Sequence, residues 1–133
     1  MAELPTKVLL DTNFLLVPIR FGVDIFTEAE RALNQLVELT VSTGVLREME
    51  ALKEEAGPKF QRELDFALTL ASRCVVVEDE PVEGETVDDS LVRLASKGGY
   101  VVATTDSELR KRLRRSGVKV LILRQRRYLL LMG

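Results

Sequence analysis

One stretch constrains this chain more than any other: the apolar run Val8-Leu9-Leu10, followed at once by the polar residues Asp11-Thr12-Asn13. Consecutive branched apolar residues are typical of a strand that is buried on both faces, as in the centre of a parallel sheet. An unpaired carboxylate is costly inside a core, so we expect Asp11 at the carboxyl end of that strand, where open α/β sheets bind ligands. Asp11 alone is equally well explained as the cap of a following helix.

Composition limits the chemistry that the chain can perform. Its 133 residues suit one domain, 1–133, ending in a basic and then apolar tail at 124–133. The chain has no histidine, which excludes Ser-His-Asp and Cys-His catalysis and histidine-containing zinc sites. Its one cysteine, Cys74, allows no internal disulfide. No apolar run is long enough to span a bilayer and no signal-peptide pattern is present, so we expect a cytoplasmic protein that does not engage membranes.

Apolar runs and helical periodicity alternate along the sequence. We predict strands near 7–10, 39–42, 74–77, 100–103 and 118–123, separated by helices, one of which starts after Asp24 and continues through Leu36 and Val37. Parallel strands need crossover connections, so the pattern predicts a three-layer α/β/α fold with a five-stranded parallel sheet. We expect the strand order 3-2-1-4-5, which opens a ligand crevice between strands 1 and 4. The tail is either an extra edge strand or a partner surface.

Four acids meet at this crevice in the predicted topology. Asp11 ends strand 1, Asp106 ends strand 4, Asp88 opens the helix after strand 3, and Glu48 lies one turn into the helix after strand 2. Carboxylates this close repel one another, and a hard divalent cation relieves the repulsion. Oxygen ligands favour Mg²⁺ or Mn²⁺, and such ions can activate a water molecule for attack on a phosphodiester. Taken singly, Asp88 and Glu48 are also explained as solvated helix acids.

Basic residues are concentrated near the end of the chain, although the formal net charge is −2. Every charged residue from 110 to 127 is basic, and the helix predicted near 108–116 carries five of them: Arg110, Lys111, Arg112, Arg114 and Arg115. Lysine and arginine dominate contacts to nucleic-acid phosphates, so we expect this helix to bind RNA. A solvated helix face is the alternative. The five Phe and two Tyr lie mostly in core patterns, so we do not expect a base-stacking platform.

Four motifs give the chain a resemblance to a known family. They are Leu9-Leu10-Asp11-Thr12-Asn13-Phe14-Leu15, Glu48-Met49-Glu50-Ala51-Leu52, Asp88-Asp89-Ser90-Leu91 and Val102-Ala103-Thr104-Thr105-Asp106-Ser107-Glu108-Leu109. In this order and at these intervals they resemble the successive motifs of PIN-domain nucleases, over nearly the whole chain. The basic helix, the last strand and Leu123-Arg124 resemble most the branch that processes small-subunit ribosomal RNA. Toxin-type PIN ribonucleases are the nearest rival branch.

The resemblance implies a metal-dependent endoribonuclease. In that case the catalytic metal ligands are the four acids Asp11, Glu48, Asp88 and Asp106. Asn13 and Thr104 then orient these ligands or the attacking water. The interval to Asp106 fits the family better from Asp88 than from Asp89, which makes Asp89 an alternative ligand or a supporting side chain. Glu50 lies about 200° round the helix from Glu48, so we expect it to face solvent.

Three other interpretations stay open. They are a toxin-type ribonuclease, a non-catalytic RNA- or protein-binding module on the same fold, and a receiver-type phosphoacceptor domain. The last is disfavoured, because Leu123-Arg124-Gln125 provides no lysine after the final strand. The expected partner is RNA, structured or ribosomal. The apolar run at 128–132 also suggests a homodimer, since such a run is a liability when exposed.

Overall fold

The computed structural model describes residues 4–133 of the chain. Its strands are β1 (Thr6–Leu10), β2 (Val37–Ser42), β3 (Val75–Val77), β4 (Tyr100–Ala103), β5 (Val120–Arg124) and β6 (Tyr128–Met132). A 3-10 turn covers Asn13–Leu16, and the α-helices are α1 (Val17–Phe21), α2 (Ile25–Leu33), α3 (Thr43–Glu55), α4 (Pro58–Ala71), α5 (Val87–Ser96) and α6 (Ser107–Arg115). None of the helices in this range is long and apolar enough to cross a membrane.

The strands form one sheet in the order β3-β2-β1-β4-β5-β6, with helices on both sides. The first five strands pair in parallel, so the predicted order 3-2-1-4-5 is confirmed. The sheet has one strand more than the five predicted, because the tail pairs with β5 as antiparallel β6. A turn in which Gln125 and Arg126 have φ of 53° and 56° reverses the chain there. So short a connection allows only antiparallel pairing.

The core lies on both faces of β1. Val8, Leu9 and Leu10 are each 0% exposed, which explains why the sequence of this strand is apolar without alternation. Most of the other fully buried large side chains come from the 3-10 turn and the α-helices, and they include Phe14, Leu15, Ile25, Met49, Leu64, Leu91, Leu109 and Leu113. This packing fixes β1 and its neighbour β4 as the rigid centre of the molecule.

Helix α2 ends earlier than the sequence pattern predicted. Asn34 adopts a left-handed conformation with φ of 53°, which terminates the helix at Leu33. Leu36 is 67% exposed and Val37 begins β2, so neither belongs to the helix. Leu36 and Val37 continue the helical spacing only by chance, since one lies in the turn and the other in the strand. Strand boundaries shift by one or two residues elsewhere, and Cys74 lies in the turn after α4 rather than in β3.

Helix α2 also contacts the outer edge of β6. The backbone N–H of Leu129 donates to the Glu28 carboxylate at 3.0 Å, and the Arg31 guanidinium donates to the Leu129 carbonyl at 2.7 Å. Glu28 and Arg31 are themselves paired at 3.0 Å. The Leu129 side chain is 1% exposed, so the tail is packed against the rest of the chain.

Candidate active site at the carboxyl edge of the sheet

Asp11 lies where β1 ends, at the reversal of winding between β1 and β4, and it is 3% exposed. One carboxylate oxygen accepts the N–H of Thr12 at 2.7 Å, and the other accepts the hydroxyl of Thr104 at 2.8 Å. The Asp11 N–H donates to the carbonyl of Ala103 at 3.0 Å, which ties the ends of the two strands together. The buried strand pairing therefore holds this carboxylate in a fixed position.

The other predicted acids act on Asp11 through their charge. Burial raises the pKa of Asp11 to about 6; the hydrogen bond from Thr104 opposes this rise, and the negative charges of Asp88 and Glu48 add to it. Burial likewise raises the pKa of Asp88, with further increases from Asp106 and Glu48 and a decrease from Arg112. The ionised forms of Asp11 and Asp88 are therefore destabilised in part by the negative charges of the other acids. A cation at this edge would lower that cost.

Glu48 and Asp106 have hydrogen-bond partners of their own. The hydroxyl of Thr12 donates to Glu48 at 2.5 Å, so Thr12 links α3 to the end of β1. Asp106 caps α6, with one carboxylate oxygen accepting the N–H groups of Glu108 and Leu109 at 2.8 and 3.0 Å. The N–H of Asp106 in turn donates to the Thr104 hydroxyl at 3.0 Å. Thr104 therefore connects two of the predicted metal ligands.

The four acids share one edge of the sheet but do not form a compact cage. Across residues 4–133, no three acidic or cysteine side chains lie close enough to hold a metal ion without rearrangement. Glu48 and Asp106 are held by hydrogen bonds from Thr12 and from the first turn of α6. The four side chains offer only oxygen ligands, which are the ligands that hard divalent cations prefer.

Asp89 and its neighbour Asp88 have different surroundings. Asp89 belongs to a capping box at the start of α5, in which it accepts the Thr86 N–H at 3.0 Å and donates its own N–H to the Thr86 hydroxyl at 3.1 Å. Its second oxygen accepts from Arg112 at 2.7 Å. Asp89 thus fastens α5 to α6, while Asp88 faces the charges of the other acids. Glu50 is exposed.

The five predicted RNA-binding residues do not share one role in the structure. Arg112 is paired with Asp89, and Lys111 lies 3.7 Å from Glu108. Arg114 and Arg115 are exposed in the last turn of α6. Arg110 lines a cleft beside Asp106. The helix therefore divides its basic residues between internal ion pairs, open surface and the cleft.

That cleft has a volume of about 370 Å³, and Asp106 is the one predicted acid in its lining, whereas Glu48 lines a separate depression beside Asp79 and Glu85. Its lining includes Asn13, Thr104, Thr105 and Asp106 together with Arg20, Phe21, Arg110 and Arg124. Sequence reasoning did not single out Arg20, Phe21 or Arg124 as site residues. Arg124 had a usable signal, because it ends β5 at the same edge of the sheet as Asp11 and Asp106. Arg20 and Phe21 end a short helix and carried no such signal.

A second ion-paired cluster fixes the acidic loop 78–85, which connects β3 to α5 and lies beside Glu48. Arg93 of α5 donates to Asp79 at 2.7 Å and to Glu85 at 2.9 Å. The side chain of Asp79 is only 4% exposed. Its N–H donates to the hydroxyl of Thr43 at 2.9 Å, at the start of α3. The loop is therefore attached to the two helices that carry Glu48 and Asp88.

Comparisons with known proteins agree with this architecture. Residues 8–126 match a family model described as a PIN like domain. Over 131 residues the chain is 28% identical to Ribonuclease VapC4 of Methanocaldococcus jannaschii, covering 96% of this chain and 97% of that protein. The solved structure of the PIN domain endonuclease Utp24 is similar with a TM-score of 0.77 and 25% identity, covering 96% of this chain and 91% of the other. Because the family model spans most of its length, the chain belongs to the PIN-like domain family.

Proposed function

We propose that this chain is a cytoplasmic endoribonuclease that uses Mg²⁺ or Mn²⁺ to hydrolyse phosphodiester bonds in structured or ribosomal RNA. The observation that carries the proposal is the buried carboxylate of Asp11, whose pKa of about 6 reflects burial and the nearby charges of Asp88 and Glu48. A group of acids that disfavour one another's ionisation is suited to a divalent cation. Relatives named ribonuclease and endonuclease support the same activity.

The site residues would have two roles, metal binding and orientation of the ligands or substrate. Asp11, Glu48, Asp88 and Asp106 would hold the ion, which when bound activates a water molecule and stabilises the leaving oxygen. Thr104 orients Asp11 through its 2.8 Å hydrogen bond, and Thr12 orients Glu48 through its 2.5 Å bond. Asn13 is exposed and lines the cleft, where its amide can orient the attacking water or the substrate.

The choice between the two branches of the family concerns the substrate. The structural similarity to Utp24 favours the rRNA-processing branch suggested by the motifs, whereas the 28% identity to VapC4 favours the toxin-type branch. We place rRNA processing first, because the basic helix and the Leu123-Arg124 ending support it as well. Cleavage of a small-subunit rRNA fragment is then expected without growth arrest of an expressing host. Growth arrest with cleavage of unrelated RNAs would favour the toxin type.

The activity test uses end-labelled RNA and three conditions: Mg²⁺, Mn²⁺ and excess EDTA. We expect cleavage within the RNA with either ion and none with EDTA, and we expect Asp11→Asn to abolish cleavage. The matched control is Glu50→Gln, which removes an exposed acid two residues from Glu48 and should cleave like the unmodified protein. RNA binding without cleavage would instead assign the chain as a non-catalytic module. Cleavage that survives both EDTA and Asp11→Asn would refute the proposal.

A further inference from the structure

Among the described residues, two arginines in the cleft beside Asp106 form no ion pair with an acid. Arg110 and Arg124 line this cleft, and across residues 4–133 the ion pairs use other cations: Arg20, Arg31, Lys53, Arg93, Lys111 and Arg112. Arg112 and Lys111, on the same helix as Arg110, are engaged by Asp89 and Glu108. Arg114 and Arg115 are exposed and likewise take no part in these ion pairs, but Arg110 is the basic residue of α6 that lines the cleft. Arg110 and Arg124 are therefore the cations beside Asp106 that a phosphate can contact.

An aromatic ring accompanies these cations. Phe21 lines the same cleft, is 40% exposed, and ends the short helix α1. The Arg126 guanidinium lies 5.7 Å from the centroid of its ring. Exposed aromatic rings among arginines are what single-stranded nucleic acids use for base stacking, since every base offers a π-face. This arrangement supplies the stacking surface that the sequence pattern did not predict.

We propose that this cleft is a subsite for one unpaired nucleotide of the RNA, with the base on Phe21 and the adjoining phosphates on Arg110 and Arg124. The inference rests on the proposed function, from which it takes RNA as the ligand, and it adds that the strand at the site is single-stranded. Asp106 and Thr104 belong to the same lining, so the nucleotide lies next to Asp106 and to the hydroxyl that holds Asp11. Thr105 and Asn13 provide hydrogen-bonding groups for its base or sugar.

The size of the cleft suits one unpaired base. Its volume of about 370 Å³ suits a single small molecule, near the lower end of the roughly 300–1,000 Å³ seen for ligand sites. Bases inside an A-form duplex stay stacked on their neighbours and cannot reach a ring in a cleft, whereas loops and single strands splay their bases out. Specificity for unpaired segments follows from this geometry.

The test measures binding and position separately. An oligoribonucleotide carrying 5-iodouridine and a fluorophore is titrated in EDTA, which prevents metal-dependent cleavage, and then cross-linked by light. We expect a cross-link on Phe21, and we expect Phe21→Ala and Arg124→Ala each to weaken binding of the single strand about tenfold. Phe21→Tyr keeps the ring and should retain binding and cross-link. Phe66→Ala and Arg62→Ala, at exposed positions of α4, are matched controls expected to bind normally.

Each outcome decides between the subsite and the activity. Phe21→Ala binding the single strand as tightly as the unmodified protein, or a duplex of the same sequence binding as tightly as the single strand, would overturn the subsite. Because the assay requires no catalysis, it also separates the two proposals. A Phe21 cross-link in a protein that never cleaves RNA would keep the subsite and remove the nuclease. Cleavage that is abolished by Asp11→Asn, but whose rate and KM are unaffected by Phe21→Ala or Arg124→Ala, would keep the nuclease and remove the subsite.

Discussion

Thr104 donates a 2.8 Å hydrogen bond from its hydroxyl to the buried carboxylate of Asp11. The same hydroxyl oxygen accepts the N–H of Asp106 at 3.0 Å. A single 1%-exposed side chain thus connects the ends of β1 and β4, on either side of the point where the sheet reverses its winding. The orientation of two acids depends on it.

Replacing Thr104 by valine keeps the shape and removes the hydroxyl. The hydrogen bond from Thr104 lowers the pKa of Asp11, so we expect Thr104→Val to raise that pKa above its value of about 6. The unpaired N–H of Asp106 should add a loss of stability of about 1–2 kcal/mol. Carboxyl NMR titration of the metal-free protein measures the first effect and urea unfolding the second. Thr104→Ser retains the hydroxyl and should preserve both values; an unchanged Asp11 pKa in Thr104→Val would contradict the assignment.

Removal of the charge on Asp11 should stabilise the metal-free protein. Its pKa rises from 3.8 to about 6 on folding, so the contribution of Asp11 to stability is full below pH 4 and is lost as the pH rises through 6. The difference corresponds to about 3 kcal/mol at most. We expect Asp11→Asn to be more stable than the unmodified protein at pH 7 in EDTA, with the gap closing below pH 5. Thermal unfolding across this range measures it, and a gap independent of pH would contradict the prediction.

We expect Asp88 to be needed for RNA cleavage and its neighbour Asp89 to be needed for stability. Asp89→Asn weakens the capping box and the ion pair with Arg112, so we expect a small loss of stability. Asp88→Asn removes a carboxylate whose pKa is raised, so stability should hold or increase while RNA cleavage is lost. Paired unfolding and cleavage assays on the two variants decide this. A cleavage defect confined to Asp89→Asn would make Asp89 the ligand.

Arg93 should hold the acidic loop in place. Arg93→Met keeps the length of the side chain but leaves the carboxylate of Asp79, at 4% exposure, without its ion pair. We expect a loss of about 2 kcal/mol, less than the roughly 3–5 kcal/mol for a fully buried pair, because Arg93 itself is 30% exposed. Hydrogen exchange should show faster exchange of the Asp79 N–H, which donates to Thr43. Arg62→Met, on an exposed position of α4, is the control that should change neither.

Cys74 should react slowly with alkylating agents. Burial raises the pKa of its thiol to about 11, so very little thiolate is present at neutral pH. We expect iodoacetamide to modify the native protein at least tenfold more slowly than the protein unfolded in urea, which has the same single thiol. Mass spectrometry over time measures both rates. Equal rates would show that the turn after α4 opens readily.

The parallel sheet was well predicted from the sequence, because the buried strands β1 and β4 are continuous apolar runs that end in polar residues. The sequence predicted the end of α2 poorly, because the left-handed Asn34 competes with an apolar periodicity that extends to Val37. From the topology it predicted that four acids meet at the carboxyl edge, where the structure joins Asp11 and Asp106 through Thr104. The ion pair between Asp89 and Arg112 was not predictable, because it joins side chains of two helices whose relative rotation only the packed structure defines. The place of Phe21 in the cleft was missed because it ends a short helix, α1, with no motif around it.

The attachment of α2 to the tail has a consequence for assembly. The outward-facing peptide groups of Leu129 already bond to Glu28 and Arg31. A neighbouring copy that tried to extend the sheet by strand addition at β6 would have to break both interactions first. Strand addition at Leu129 is therefore disfavoured, and a homodimer through the apolar tail would instead use exposed side chains such as Leu130, at 37% exposure.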